Sequence, residues 1–249
     1  MSEEDAGPLS PAMASAWGVR PPATRGPKPG MTLERIVAAA IAVADAEGLG
    51  EVSMHRVARE LGSSAMSLYR YVGSKEELVA VMVDSALSPL DPADPGEDWR
   101  AGLAHAAWGL LRAMEEHPWS VEVPITGLPI GPRTVAWLED ALDSMSDTDL
   151  AEAEKASVAM MLSGYVRHHV MLMGQVQAAL SAGTGSPDEA MQAYVVTMRR
   201  LTVATSHPAL HRLLDAGVFA RADPPDHEFA FGLERLLDGV GVLVDQRAG

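Results

Sequence analysis

Cysteine is absent from the chain's 249 residues. Its absence excludes disulfides and thiolate metal sites and fits a reducing cytoplasm. No stretch of about 18 residues runs free of polar interruption, so no transmembrane helix is expected. The N-terminus opens on Glu3, Glu4 and Asp5 and has no long apolar run, so it does not read as a secretory signal. Also missing are G-x-S-x-G, a Walker loop, G-x-G-x-x-G and H-E-x-x-H. No alternating strand pattern and no internal repeat emerge. Asp and Glu are spread along helix faces, the usual solvated pattern, which leaves little for a hydrolase reading.

At 47% hydrophobic residues the chain can bury a sizeable core. Its net charge of −15 argues at first against nucleic acid, but the charge is uneven. From Arg20 to Lys75 eight Lys and Arg face five acids, giving +3. From Asp91 onward 11 basic residues face 23 acidic ones, giving −12. Phosphate contact depends on the local charge, and a distant acidic body mainly discourages unspecific adhesion.

The organisation is helical throughout. Residues 1–30 are rich in Pro, Gly, Ala and Ser and are expected to be mobile, either as a plain solvated tail or, through Arg20, Arg25 and Lys28, as a basic arm that lies along a DNA groove. Thr32 caps a helix that Gly48 stops, and Ser53 caps the next. Gly62 breaks the chain before a short helix from about Ser64 to Val72. Ser74 caps a fourth helix, with Glu77 completing the S-x-x-E capping box. The Pro- and Asp-dense stretch 88–98 reads as a domain boundary. Helices follow at Trp99–Glu116, Thr134–Ser144, Asp149 to about Leu180, Asp188–Ser206, around His211, and Asp226–Asp245.

The stretch "LGSSAMSLYRYVGSKEEL" is the most informative. Two short helices joined by a tight Gly-containing turn make a helix-turn-helix, whose second helix can enter the DNA major groove. Leu68 and Val72, four apart, can face a core. Met66, Ser67, Tyr69, Arg70 and Tyr71 are left outward. Arg pairs with guanine edges, Ser with bases or phosphate, and Met or Tyr with a thymine methyl, while Tyr69 and Lys75 suit phosphate oxygens. Helix N-termini at Ser53 and Ser74 add backbone donors. Periodicity alone equally allows a helical corner of an ordinary core.

Residues 31–87 resemble the N-terminal domain of TetR-family transcriptional regulators. The likeness rests on "IVAAAIAVADAEGL", "SMHRVAREL" with its following glycine, and above all "SLYRYVGSKEEL". More loosely, "HPW" at 117–119, "GPRTVAWLEDAL" and "FAFGLERLLDGV" are similar to the tetracycline-repressor-like C-terminal domain. The resemblance implies an all-α homodimer, with a three-helix helix-turn-helix DNA-binding domain at 31–87 and a larger ligand-binding and dimerisation domain at 97–249. By position it puts DNA contacts on Ala65, Met66, Ser67, Tyr69, Arg70 and Tyr71, and a phosphate contact on Lys75. His55 stands where relatives of the tetracycline repressor use an arginine to read a base.

Two further expectations concern the C-terminal domain. The apolar stripe from Phe229 to Leu243 needs a partner face, and Val158, Met161, Leu162, Tyr165 and Val166 offer one, either for a four-helix interface between two subunits, which the resemblance favours, or within one monomer. Aromatic and polarizable residues suggest an adaptable pocket: Trp108, Met114, Trp119, Trp137, Met160, Met161, Tyr165, Met171 and Met173. His105, His117, His168 and His169 are its candidate polar anchors. His168 and His169 point about 100° apart on a helix, so neither a metal nor another cofactor is expected. The resulting expectation is a cytoplasmic, ligand-responsive repressor of double-stranded operator DNA that is neither an enzyme nor membrane-bound. The rival readings are a helical hydrolase-like enzyme and an interaction module without DNA binding.

Overall fold

The computed structural model describes residues 9–19, 31–89, 98–125, 129–181, 186–220, 224 and 226–249. The described chain runs α1 (Pro11–Ala16), α2 (Leu33–Glu47), α3 (Met54–Glu60), α4 (Ala65–Leu68), α5 (Lys75–Ala86), α6 (Trp99–Glu116), α7 (Pro132–Asp143), α8 (Glu152–Ser181), α9 (Pro187–Leu201), α10 (Pro208–Asp215) and α11 (His227–Ala248). Short 3-10 turns occur at Leu49–Glu51, Pro118–Glu122 and Val218–Ala220. No strand occurs among the described residues.

Local chemistry sets the helix starts. Thr32, Ser53, Ser74 and Asp98 each accept a hydrogen bond from the backbone N–H three residues on, satisfying a donor that has no intrahelical partner. Gly48 ends α2 at φ 90°, and Gly62 turns the chain between α3 and α4 at φ 61°, both in the left-handed region that glycine enters without steric cost. The capping box at Ser74 is only half formed. Ser74 accepts from Glu77 N–H, but the Glu77 carboxylate bonds Gly73 N–H and Ala12 N–H instead.

Two cores organise the chain. The first gathers α2, α3, α4 and α5 around Ile36, Val43, Val57, Leu68, Leu78 and Met82. The second packs α6, α7, α8 and α11 around Leu103, Leu111, Met145, Leu162, Phe229, Leu233 and Leu237. Burial of a side chain of this size contributes roughly 1.5–3 kcal/mol. Trp119 crosses between the cores: it lies in the C-terminal part of the sequence but is buried in the first core.

The tail at 1–30 holds a structured element. Ala12 and Met13 are buried, and α1 lies against α5. Ala12 donates to Glu77 Oε1 at 2.8 Å, and the Trp17 indole donates to Ile130 O at 2.7 Å. A six-residue helix has little stability alone, so tertiary docking holds it, and tail composition could not reveal that. Arg20, Arg25 and Lys28, expected to form a basic arm, lie outside the described residues.

Candidate nucleic-acid interface and effector site

Helix α4 is one turn long and continues into turns through Tyr71. Leu68 and Val72 are fully buried, which fixes the opposite side outward. Met66 is 75% exposed and Tyr69 45%, with Arg70 exposed beside them. These three side chains form the protruding face. Ser67 is partly turned inward: its hydroxyl is 2.6 Å from Ser63 Oγ and donates to Ser64 O at 2.6 Å. Ala65 packs against the first core. Tyr71 differs from the outward placement that its spacing suggests. Its hydroxyl donates to Met31 O at 2.9 Å and its ring packs on the core, so it braces α4 against the start of α2.

The flanking charges divide into committed and available groups. Arg56 is held by Glu47 at 2.5 Å and Glu60 at 2.8 Å; the hydrogen bonds it donates to both carboxylates push its pKa up, and its charge is neutralised locally. Arg35, Arg59, Arg70 and Lys75 make no ion pair among the described residues. His55 is exposed on α3, and Ser53 uses its hydroxyl as the cap of that helix. Met66, Tyr69, Arg70 and the exposed Lys75 thus offer an apolar tip, a phenol and two cations, a set suited to base edges and phosphates.

The residues expected to line an effector cavity separate into three groups. Trp108, Tyr165 and His169 surround Phe229, whose ring lies 4.7, 5.3 and 5.2 Å from theirs. The Tyr165 hydroxyl donates to Phe229 O at 2.8 Å. Gly232 permits this, since a Cβ there would meet the Tyr165 hydroxyl at 2.2 Å. Burial and then the neighbouring His168 depress the His169 pKa against the opposing pull of Asp226 and Glu228, so the imidazole favours its neutral form. Phe229, the centre of the group, was legible in the sequence only as part of an apolar stripe.

A second group is structural. Trp119 Nε1 donates to Asp45 Oδ1 at 2.6 Å, and His117 Nδ1 lies 2.9 Å from the same oxygen. Both residues pin the 3-10 turn at Pro118–Glu122 to α2 and are removed from the cavity that their residue types had suggested. Trp137 is buried and donates to Ala106 O at 3.0 Å, and Met114 packs on the second core. The third group lies toward the surface: His168 and Met173 are exposed, and His105 is half-buried on α6. Met161 and Tyr165 also line an open groove between α8 and α11, with Leu236 and Leu243. Phe229, Leu233, Leu237 and Val240, with Val158, Leu162 and Val166, expected at a four-helix interface between subunits, are instead buried in the protomer's own second core. No cluster of three or more potential metal ligands occurs among the described residues.

Further bonds join the two cores. Asp84, buried near the end of α5, accepts hydrogen bonds from Thr134 N–H and hydroxyl at 2.9 Å each and from Arg133 N–H at 3.3 Å. It therefore caps α7 from the other domain. Arg133 returns the contact by donating to Ser85 O and Leu87 O at 2.8 and 2.7 Å. With the Asp45–Trp119 contact on α2, these polar ties fasten the core that carries α4 to the C-terminal helices.

Comparison with known proteins gives the same architecture. Residues 36–82 match the family described as bacterial regulatory proteins, tetR family, and residues 91–244 match the tetracyclin repressor-like C-terminal domain. The chain is 37% identical over 246 residues to the HTH-type transcriptional repressor DrrR1 of Streptomyces coeruleorubidus, covering 98% of this chain and 89% of DrrR1. It is similar to the crystal structures of Streptomyces coelicolor ActR, a TetR family protein, in complex with actinorhodin and with (S)-DNPA. Each aligns with a TM-score of 0.70 and 26% identity, over 86% of this chain and 98% of ActR.

Proposed function

The chain belongs to the tetR family of bacterial regulatory proteins, and from that premise we propose that it is a homodimeric repressor released from operator DNA by a small molecule. The observation that carries the DNA reading is the α4 face: Leu68 and Val72 sealed inside, Met66, Tyr69 and Arg70 outside. Residues 31–87 form the DNA-binding domain and 97–249 the sensor and dimer domain. In this reading Arg70 reads a base edge, Tyr69 and Lys75 contact phosphate, and Tyr71 acts through its brace on Met31. Arg20, Arg25 and Lys28 supply an arm along the groove.

The groove between α8 and α11 is the dimer face. Met160, Met161 and Val242 are exposed apolar residues on its two helices, and an apolar strip of this kind needs a partner. A two-fold dimer sets two α4 faces one helical turn apart on DNA, about 34–36 Å, or a multiple of it. The effector binds beside the aromatic group around Phe229, as supported by ActR's complexes with actinorhodin and (S)-DNPA. Binding that favours the wrong α4 spacing weakens operator affinity, and operator weakens effector affinity by the same factor. Coupling of roughly 1–3 kcal/mol gives about a 5–150-fold change. The function is regulatory rather than catalytic. Among the described residues no helix is long and apolar enough to cross a membrane, which accords with action on cytoplasmic DNA.

The test is selection of bound duplexes from a random pool, followed by mobility-shift titration of the winner at moderate salt. A sequence-specific shift with palindromic preference is expected. Binding indifferent to sequence would refute the reading.

A further inference from the structure

A cavity of about 740 Å³ lies between α5 and the segment leading into α7, and the repressor reading gives it no role. Its walls are largely apolar. Val79 and Val83 come from α5, Met13 from α1, Val123 and Ile130 from the facing segment, and Arg167 reaches it from α8. It shares no lining residue with the aromatic group around Phe229. Its volume lies in the range of sites that enclose drug-sized molecules, roughly 300–1,000 Å³.

Arg167 is the unusual element. Its guanidinium donates to Val121 O at 2.7 Å and Val123 O at 2.6 Å, with a longer approach to Ser120 O at 3.5 Å. Carbonyl oxygens accept its hydrogen bonds but do not cancel its charge. No carboxylate pairs with it among the described residues. Arg56 and Arg100, also partly covered, each hold two carboxylates. Burial pulls the Arg167 pKa down. The acids that do border the cavity do not supply a partner. Asp84 is occupied by Thr134 and Arg133, and Glu76 and Glu122 are exposed, as is Lys75. A covered cation facing an apolar space favours an anion that brings its own apolar body.

We propose that this cavity is a second small-molecule site, taking an apolar molecule with a single carboxylate that pairs with Arg167 while its body lies along α5. The occupant touches α1, α5 and α8 together and so fastens the DNA-binding domain to the sensor domain. The proposal stands independently of the effector site around Phe229.

Calorimetric titration of the full-length protein with decanoate and with its uncharged twin decanamide tests it. The wild type binds decanoate at least about tenfold more tightly, the scale of one charge-assisted contact. Arg167→Met keeps the stem, loses the charge and binds both alike; Arg167→Lys retains a preference for the acid. Val83→Trp fills the space and loses both ligands. Trp108→Leu, altered at the aromatic group, binds as the wild type does. Circular dichroism and sedimentation establish that each variant is folded and has the wild-type mass. No binding of decanoate, equal binding of the two ligands by the wild type, a preference that survives Arg167→Met, or a loss with Trp108→Leu would each overturn the assignment.

Discussion

Asp84 and Thr134 join the two halves of the protein: the buried carboxylate on α5 accepts both the backbone N–H and the hydroxyl of a residue in the first turn of α7, each at 2.9 Å. Gly131 makes the approach possible, because a Cβ there would lie 2.0 Å from Asp84 Oδ1. Asp84→Ala leaves partly buried donors without their acceptor, which costs about 1 kcal/mol or more. A lower urea midpoint is expected, with the effector-dependent change in operator affinity shrinking as α5 loses its hold on α7. Unchanged stability with full effector response would show that the contact is incidental.

Arg70 carries the base-reading prediction. Arg70→Ala should weaken the best operator by roughly 1–3 kcal/mol and relax the preference at one position of each half-site. Lys75→Ala should weaken all sequences alike and lower the salt slope by about 1. Fluorescence anisotropy across a salt series separates the two effects. Tyr71→Phe should act differently from either, lowering thermal stability by the brace on Met31 while leaving the preferred sequence intact.

The dimer face predicts that Met161→Glu yields a folded monomer. Met161 is 43% exposed in the protomer, so the charge is tolerated there and excluded only from the paired state. Sedimentation should give half the wild-type mass, and operator binding should fall with it. A dimer of normal affinity would place the interface elsewhere.

Glu77 sets a pH dependence for the docking of α1. Burial opposes its ionised form, but hydrogen bonds from Ser10 and the Ala12 and Gly73 backbone outweigh it and hold the pKa below the ordinary glutamate value. The folded pKa is therefore lower than the unfolded one. The contribution is present above the unfolded value and is lost as pH falls through the folded value. Amide protection at Ala12, taken relative to the intrinsic exchange rate at each pH, should fall in acid, and Glu77→Gln should flatten that dependence.

The helices were legible because their signals are local. Thr32, Ser53 and Ser74 bond within one turn, and Gly48 and Gly62 mark chain reversals that spacing alone reveals. Leu68 and Val72 could be told from Met66 and Arg70 by periodicity. The contacts between domains were not legible. Asp45 meets Trp119 across 74 positions and Asp84 meets Thr134 across 50, and nothing in the sequence near either acid names its partner. Residue type therefore misdirected Trp119 and His117 toward a cavity. Tyr71 was misplaced because a one-turn helix gives too few positions to fix which way a side chain turns. Helix α1 was missed because its stability comes from α5 rather than from its own composition.

The most direct test of the central claim is guanine-methylation interference on the selected operator, which detects blocked N7 atoms in the major groove. Interference is expected at two symmetry-related guanines, one in each of two half-sites whose centres lie a whole number of helical turns apart, and is lost in Arg70→Ala while the dimer persists. Interference that is absent, unsymmetric or unchanged in Arg70→Ala would contradict a dimer that reads DNA through α4.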